Sequence, residues 1–429
     1  MSPFEKAAIV TVDGVGEWTT TAIGYGKGND IKLHKEIRFP HSLGLLYSTI
    51  TAFLGFRVNN SEYKVMGLAA YGNPDKYYDR LKKVIDVKED GSFRLKMDYF
   101  VFHYKDRMPS KKMIELLGPQ RKPDTELTQR HKNIAAALQK LTEEVLLGIL
   151  NQAYKETKCN NVVYSGGVAL NSVFNGKILK LTPFRNVWIQ PNALDGGTSM
   201  GAAAFVYNAL LGKERRRLEH AYLGPGFSDK KIREFLDKKK AKYTILFEKE
   251  LISKTAELIY ENKIIGWFQG RMEWGPRALG ARSILANPLN PEMQDILNKQ
   301  VKHRESFRPF APVVCAEDAA KYFECDDPLP EPAEYMLMVY PIKKNYQKKI
   351  PSVTHIDGTG RLQVIRRKTN PLYYNLVKEF GKISGTPILV NTSFNVKGEP
   401  IVCTPDDAYN CFMKTGIDYL VIGNQLVEK

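Results

Sequence analysis

Asn161–Asn171, NVVYSGGVALN, is a run of β-forming residues that ends in paired glycines and passes into a helical pattern. Glycine lets a backbone lie close against a ligand, and the N–H groups that open a helix favour anions, so this shape suits a nucleotide. Two other stretches share it. AAIVTV, Ala7–Val12, stops at Asp13-Gly14, and NVWIQ, Asn186–Gln190, leads to Asp195-Gly196-Gly197 and a small-residue helix. Alone, each of these is no more than a turn. Together, acids or glycines at the carboxyl ends of three strands fit the ligand-binding edge of an open α/β sheet.

Working toward the N terminus, Ala7–Val12, the Thr-rich TTTAIGYG and IKLHKEI after the turn at Lys27–Asp30 read as an antiparallel meander. FPHSLGLLYSTITAFLGF (Phe39–Phe56) and EYKVMGLAAYG (Glu62–Gly72) have helical spacing. Lys64, Gly67 and Gly72 there could approach a ligand or belong to the core. A charged, weakly patterned insertion follows, to Lys122. Asn133–Glu156 is an amphipathic helix with Ile134, Leu138, Leu141, Val145 and Ile149 on one face. Toward the C terminus, a basic run meets Gly-Pro-Gly in KERRRLEHAYLGPGFSD, Lys213–Asp229, which places a boundary between residues 1–215 and 216–429.

The second half opens with two helical segments and then Ile264–Pro312, which sets Arg271, Arg277, Arg282, Lys302, Arg304 and Arg308 among glycines, prolines and aromatics. Guanidinium groups fork onto phosphate or carboxylate oxygens, and glycine admits the ligand to the backbone, so this density points to an anion pocket. EYMLMVYP, RLQVI, TPILVN and DYLVIG read as strands. TPILVN opens NTSFNVKGEP, Asn391–Pro400, whose amides and hydroxyls suit a planar amide-like group or phosphate oxygens.

A chain of 429 residues favours two domains. No apolar run is long enough to span a bilayer and MSPFEKAAIVTVDG lacks the pattern of a signal peptide, so a cytoplasmic, membrane-free protein is expected. The five cysteines are scattered and in no metal-ligand spacing. The net charge of +16 comes largely from lysine runs with few interleaved aromatics, which argues against nucleic acid as the partner, although charge alone leaves a tRNA-sized partner open.

The motifs VDGVGEW, FPHSLGLLY, EYKVMGLAAYG, GGVALN, GRMEWGPRALGARSI, RESFRPFAP, DGTGRLQ and NTSFNVKGEP cover nearly the full length. With them the chain resembles the carbamoyltransferases of the nodulation and antibiotic-tailoring family. That resemblance implies an actin-like, sugar-kinase-like (ASKHA) domain followed by an α/β domain like the threonylcarbamoyl-AMP synthases (YrdC-like). It implies ATP and carbamoyl phosphate as substrates: carbamoyl adenylate forms in the second domain and the carbamoyl group passes to a hydroxyl of a sugar-containing small molecule or glycan in the first. The Lys-x-Arg and Ser-x-Asn pattern of the synthases falls on Lys302 with Arg304 and on Ser393 with Asn395, supplemented by Arg271, Arg277, Arg282, Arg308 and Arg361. Gly166, Gly167 and Asn171 match the adenosine-contacting turn, and Asp13 and Asp195 match two carboxylate ligands of a divalent metal, iron or magnesium. His355 and Asp357 fall in the second domain and read as phosphate or supporting contacts.

The resemblance also implies an N-terminal segment with a phosphate-binding hairpin and a His-x-x-x-His metal pair. Met1 falls after that segment and none of the seven histidines has the spacing, so the first domain is expected to be N-terminally incomplete, either a piece of a split enzyme whose separate N-terminal chain carries the pair or a truncated form. Two alternatives stand beside this reading: a tRNA-modifying enzyme of the threonylcarbamoyl type, and a nucleotide-binding subunit without catalysis.

Overall fold

Ala8, Val10 and Val12 alternate into the interior of the first strand and define the sheet of the N-terminal half. A computed structural model describes every residue, Met1–Lys429, in two units, Met1–Leu218 and Glu219–Lys429. The division lies inside the Lys213–Asp229 stretch. In the first unit β1 (Lys6–Val12), β2 (Thr19–Lys27) and β3 (Asp30–Arg38) form the expected meander. The insertion contributes a separate ribbon of β4 (Ile85–Val87) and β5 (Phe93–Leu95). β6 (Asn161–Ser165) runs parallel to β1, and β7 (Asn186–Trp188) parallel to β6, for a sheet order of β3-β2-β1-β6-β7.

The long helix of this unit spans Gln129–Thr157, starting earlier than its apolar stripe because Thr128 and His131 close a capping box. Gly72 serves packing: a Cβ there would lie 2.1 Å from the Lys132 carbonyl oxygen. No helix of the chain is long and apolar enough to cross a membrane.

The second unit is built on one nine-stranded mixed sheet. Its strands are β8 (Tyr243–Ile245), β9 (Ile265–Phe268), β10 (Arg282–Ala286), β11 (Ala311–Cys315), β12 (Met338–Pro341), β13 (Thr359–Ile365), β14 (Ile388–Ser393), β15 (Tyr419–Ile422) and β16 (Gln425–Glu428). The order is β12-β13-β11-β14-β10-β9-β15-β16-β8. β9, β10 and β11 lie inside the arginine-rich stretch and are buried at every residue. Strands covered on both faces do not alternate, so the pattern did not separate them from the loops between. EYMLMVYP is strand only from Met338; Glu331–Tyr335 forms a 3-10 turn after Pro330, and Met336 takes φ 57°.

Helices Glu248–Tyr260 and Pro371–Ser384 cover one face of this sheet, laying Leu258, Ile259, Leu376 and Phe380 on Trp267, Leu285, Val313 and Leu389. One glycine is indispensable to that packing. Gly280 has φ +104°, and a Cβ would lie 2.1 Å from the ring of the fully buried Tyr373. Gly280→Ala is expected to cost about 3 kcal/mol, from overpacking plus left-handed strain, read as a lower urea midpoint at unchanged m-value.

Candidate functional site

On β14, Leu389, Asn391 and Ser393 share the helix-covered face, because side chains alternate along a strand. Leu389 belongs to the apolar core, whereas Asn391 donates to the Gln363 side-chain oxygen at 2.6 Å and Ser393 meets Lys302. One face is therefore apolar at one end and polar at the other. Lys302 follows a π-helical turn, Leu297–Val301, which turns its side chain inward. Its Nζ donates to the Ser393 carbonyl, to Ser393 Oγ at 3.3 Å, and to the carbonyl and Oδ1 of Asn395 at 3.0 Å each. Ser393 Oγ in turn donates to Asn395 Oδ1 at 2.7 Å.

Lys302 is 2% exposed and its four contacts are all uncharged oxygens. Burial, reinforced by the nearby Arg304 and Arg308 charges, holds the Lys302 ammonium well below its ordinary value. Sequence reading gave Cys411 no role, yet its thiol lies close enough to feel Lys302, although burial pushes it up to about 11. Arg304 donates to Asn298 Oδ1 at 2.6 Å and stacks over Phe310 at 4.5 Å. Arg308 lies 4.0 Å from Glu305. The Lys-x-Arg and Ser-x-Asn residues thus surround one polar end of the sheet, with Arg304 braced beside it.

The other cations are placed differently. Arg282 is fully buried, stacked 3.6 Å over Phe268, and donates to the carbonyls of Gln269, Gly270, Ala281 and Pro225. Burial pushes it down to about 10, against the opposing pull of Glu273. Its fork is spent on the backbone, so its role is to hold the loop. Arg271 is exposed and donates to the Gly224 and Leu223 carbonyls at 2.9 and 2.6 Å. Arg277 is half-buried on the same loop; Arg361 stands on β13 opposite Val339. Arg361 acts on His355, whose imidazole is driven down to about 4 by burial, against the pull of Asp357. Asp357 itself accepts from the N–H and Oγ1 of Thr359, at 3.1 and 2.7 Å, as a turn cap.

In the first unit the parallel pairing of β1 with β6 brings Asp13 beside the glycine pair. Gly166 takes φ +97°, and a Cβ there would lie 2.2 Å from the Val12 carbonyl oxygen; one on Gly167 would lie 3.2 Å from Asp13 Oδ1. Gly166 N–H donates to the Ala193 carbonyl at 2.9 Å, which ties in the loop leading to the exposed Asp195. The ends of three strands therefore converge on a cradle floored by glycine. Asn171 follows the glycine pair. Its amide pairs reciprocally with Gln139 at 3.0 and 3.1 Å and accepts the Phe174 N–H, which makes it a helix cap within the core.

A metal finds no complete donor set here. Asp13 Oδ1 already accepts its own loop's Gly14 N–H at 2.7 Å. Among the described residues the one group of three such donors within 4.8 Å is Cys315, Glu317 and Asp318. There Lys378 bridges both carboxylates at 2.9 and 2.8 Å, so a cation already occupies that cluster. Asp13 and Asp195 alone do not fit a metal centre.

A two-unit α/β protein with a buried lysine-and-amide cluster on one sheet and a glycine cradle on the other has the features of a transferase. Comparison with known proteins gives the family. Residues 1–204 match the model for the carbamoyltransferase N-terminus and residues 256–429 that for the carbamoyltransferase C-terminus. Nodulation protein NolO of Bradyrhizobium diazoefficiens is 36% identical over 434 residues, covering all of this chain and 76% of that one. An uncharacterized Synechocystis protein is 45% identical over all of this chain and 74% of its own length. For nodulation protein NolNO of Sinorhizobium fredii the figures are 37%, all of this chain and 62% of that one. The chain belongs to the carbamoyltransferase family and is a transferase. A solved structure of full-length HypF in its phosphate- and nucleotide-bound form is 20% identical over 42% of this chain and 22% of that one. Its TM-score is 0.29, which carries no weight for the fold.

Proposed function

We propose that this chain is an O-carbamoyltransferase that forms carbamoyl adenylate from ATP and carbamoyl phosphate at the Lys302 cluster. It would then pass the carbamoyl group to a hydroxyl of a sugar-containing acceptor at the cradle of the first unit. The reading includes an actin-like first unit and a YrdC-like second unit. One observation supports it above the rest: a buried ammonium surrounded only by neutral oxygens. Burying a charge without a counter-charge is costly, and such groups concentrate where a charged ligand completes them.

The balance of the first step needs one water. Carbamoyl phosphate yields its phosphoryl group to water, giving carbamate and inorganic phosphate. A carbamate oxygen attacks the α-phosphorus of ATP, the bond to the β-phosphate bridge breaks, and pyrophosphate leaves. Lys302 and Arg304 offset the phosphate charge, while Ser393 and Asn395 hold the planar carbamoyl group in line. In the second step the acceptor oxygen bonds to the carbamoyl carbon, AMP departs and the hydroxyl proton goes to solvent. Gly166 and Gly167 let the adenylate lie against the backbone beside Asp13. A metal would need nitrogen donors beyond Asp13 and Asp195, and no step here depends on it.

Mixing the protein with ATP and carbamoyl phosphate should release pyrophosphate, and omission of either substrate should abolish the release. Pyrophosphate production no greater than in a protein-free control would overturn the reading.

A further inference from the structure

Glu273 lies in the loop between β9 and β10, is 5% exposed, and points one carboxylate oxygen, Oε1, at three backbone donors of one turn. Oε1 accepts the N–H groups of Leu279 and Ala281 at 2.7 Å each and of Arg282 at 3.2 Å. The remaining N–H of this turn, that of Gly280, donates to Ser283 Oγ at 3.0 Å. The carbonyls are held as closely. Asn391 Nδ2 donates to that of Ala278 at 3.2 Å, Tyr222 and Gln363 to that of Leu279 at 2.9 and 2.8 Å, and the Trp267 indole to that of Gly280 at 2.9 Å. Every peptide group from Leu279 to Arg282 thus has its N–H fixed, and a single carboxylate oxygen fixes three of the four.

What this turn holds is the polar end of the sheet. Asn391 and Gln363 bind it and each other, Asn391 stands two residues before Ser393 on the same face, and Ser283 is the cross-strand partner of Ser393. Ser393 in turn receives Lys302. Side-chain contacts and the backbone of β14 and β10 therefore link Glu273, through the turn, to Ser393 and the lysine cage, and a site held by such a supporting shell keeps its geometry only while that shell is intact.

We infer that Glu273, through the turn it anchors, is a positioning residue for the adenylate-forming site; the inference rests on the function proposed above. It touches neither ATP nor carbamoyl phosphate. Its contribution is orientation of Ser393 and Asn391, so its loss lowers turnover and leaves nucleotide binding largely intact.

The test compares Glu273→Ala with Glu273→Gln in the full chain, by amide hydrogen exchange and by pyrophosphate release. The Gln carbonyl can accept the same three N–H groups, whereas Ala accepts none. In Glu273→Ala the Leu279, Ala281 and Arg282 amides should exchange at least about tenfold faster, and kcat should fall about 100-fold with KM for ATP within about threefold. Glu273→Gln should keep the protection and recover most of kcat. Unchanged protection in the Ala variant, unchanged kcat despite lost protection, or a Gln variant as slow as Ala while still protected would each overturn the inference. A wild-type protein that releases no pyrophosphate would instead bring down the underlying function, and the positioning role with it.

Discussion

Lys302→Met is expected to abolish carbamoyl-phosphate-dependent pyrophosphate release, by about 1,000-fold or more, while the protein stays folded. The size follows from removing a preorganised charge in a water-poor site, worth about 4 kcal/mol of transition-state stabilisation. The survival of the fold follows from the same geometry. Lys302 is 2% exposed and contacts no carboxylate, so methionine removes a desolvation cost at the same time as it removes four hydrogen bonds. The two changes oppose each other, and the melting temperature should hold or rise. A circular dichroism melt beside the pyrophosphate assay separates these outcomes: loss of the fold, or retained release, would contradict the placement of this lysine at the chemistry. Lys302→Arg should not restore the rate, because a planar fork does not fit oxygens placed about a compact ammonium.

The same burial gives a pH dependence with a definite sign. The ammonium of Lys302 is held below its ordinary value of 10.5, chiefly by desolvation. The charged form is therefore lost on raising the pH sooner than for an exposed lysine, and adenylate formation should decline on an alkaline limb well below 10.5. For stability the direction is opposite. Between the lowered folded value and 10.5 the unfolded chain binds more protons, so stability rises with pH through that window, and the burial cost is full only below it.

The α/β class was legible because each decisive strand of the first unit ends at a residue that marks the end: Asp13 after Val12, Gly166 after Ser165. The central sheet of the second unit was not, since Ile265–Phe268, Arg282–Ala286 and Ala311–Cys315 are only four or five residues long and buried at every position, so they show no alternation. The site divides along a similar line. Lys302, Ser393 and Asn395 lie 91 and 93 residues apart, and only a family pattern could join them before the fold did. Arg282 shows the converse: an arginine beside glycine reads as an anion ligand, yet its partners here are backbone carbonyls, which leave no trace in side-chain chemistry. Glu273 was missed for the same reason, as its partners are three peptide N–H groups.

Under the proposed function, substitutions in the Gly166–Gly167 pair should separate the two half-reactions. Gly166 and Gly167 are adjacent and chemically identical, but their surroundings differ. Gly166 takes φ +97°, and a Cβ there would lie 2.2 Å from the Val12 carbonyl oxygen, part of a strand backbone that cannot retreat. Gly166→Ala should therefore disturb the junction of β1 and β6 and cost stability, with any loss of activity following from that. Gly167 has no left-handed strain, and its nearest obstacle to a Cβ is the Asp13 carboxylate at 3.2 Å, a side-chain atom that can give by a few tenths of an ångström. Gly167→Ala should fold normally and still release pyrophosphate at the wild-type rate, because the Lys302 cluster lies on a different sheet. On the proposed function it would remove the close approach of the adenylate to the backbone beside Asp13, so transfer of the carbamoyl group to an added hydroxyl acceptor should fall about 100-fold. Measuring adenylate formation and transfer separately decides the matter. Equal loss of both in Gly167→Ala would mean that the cradle does not serve the second step, whereas loss of transfer alone would assign that step to the glycine-floored end of the first sheet.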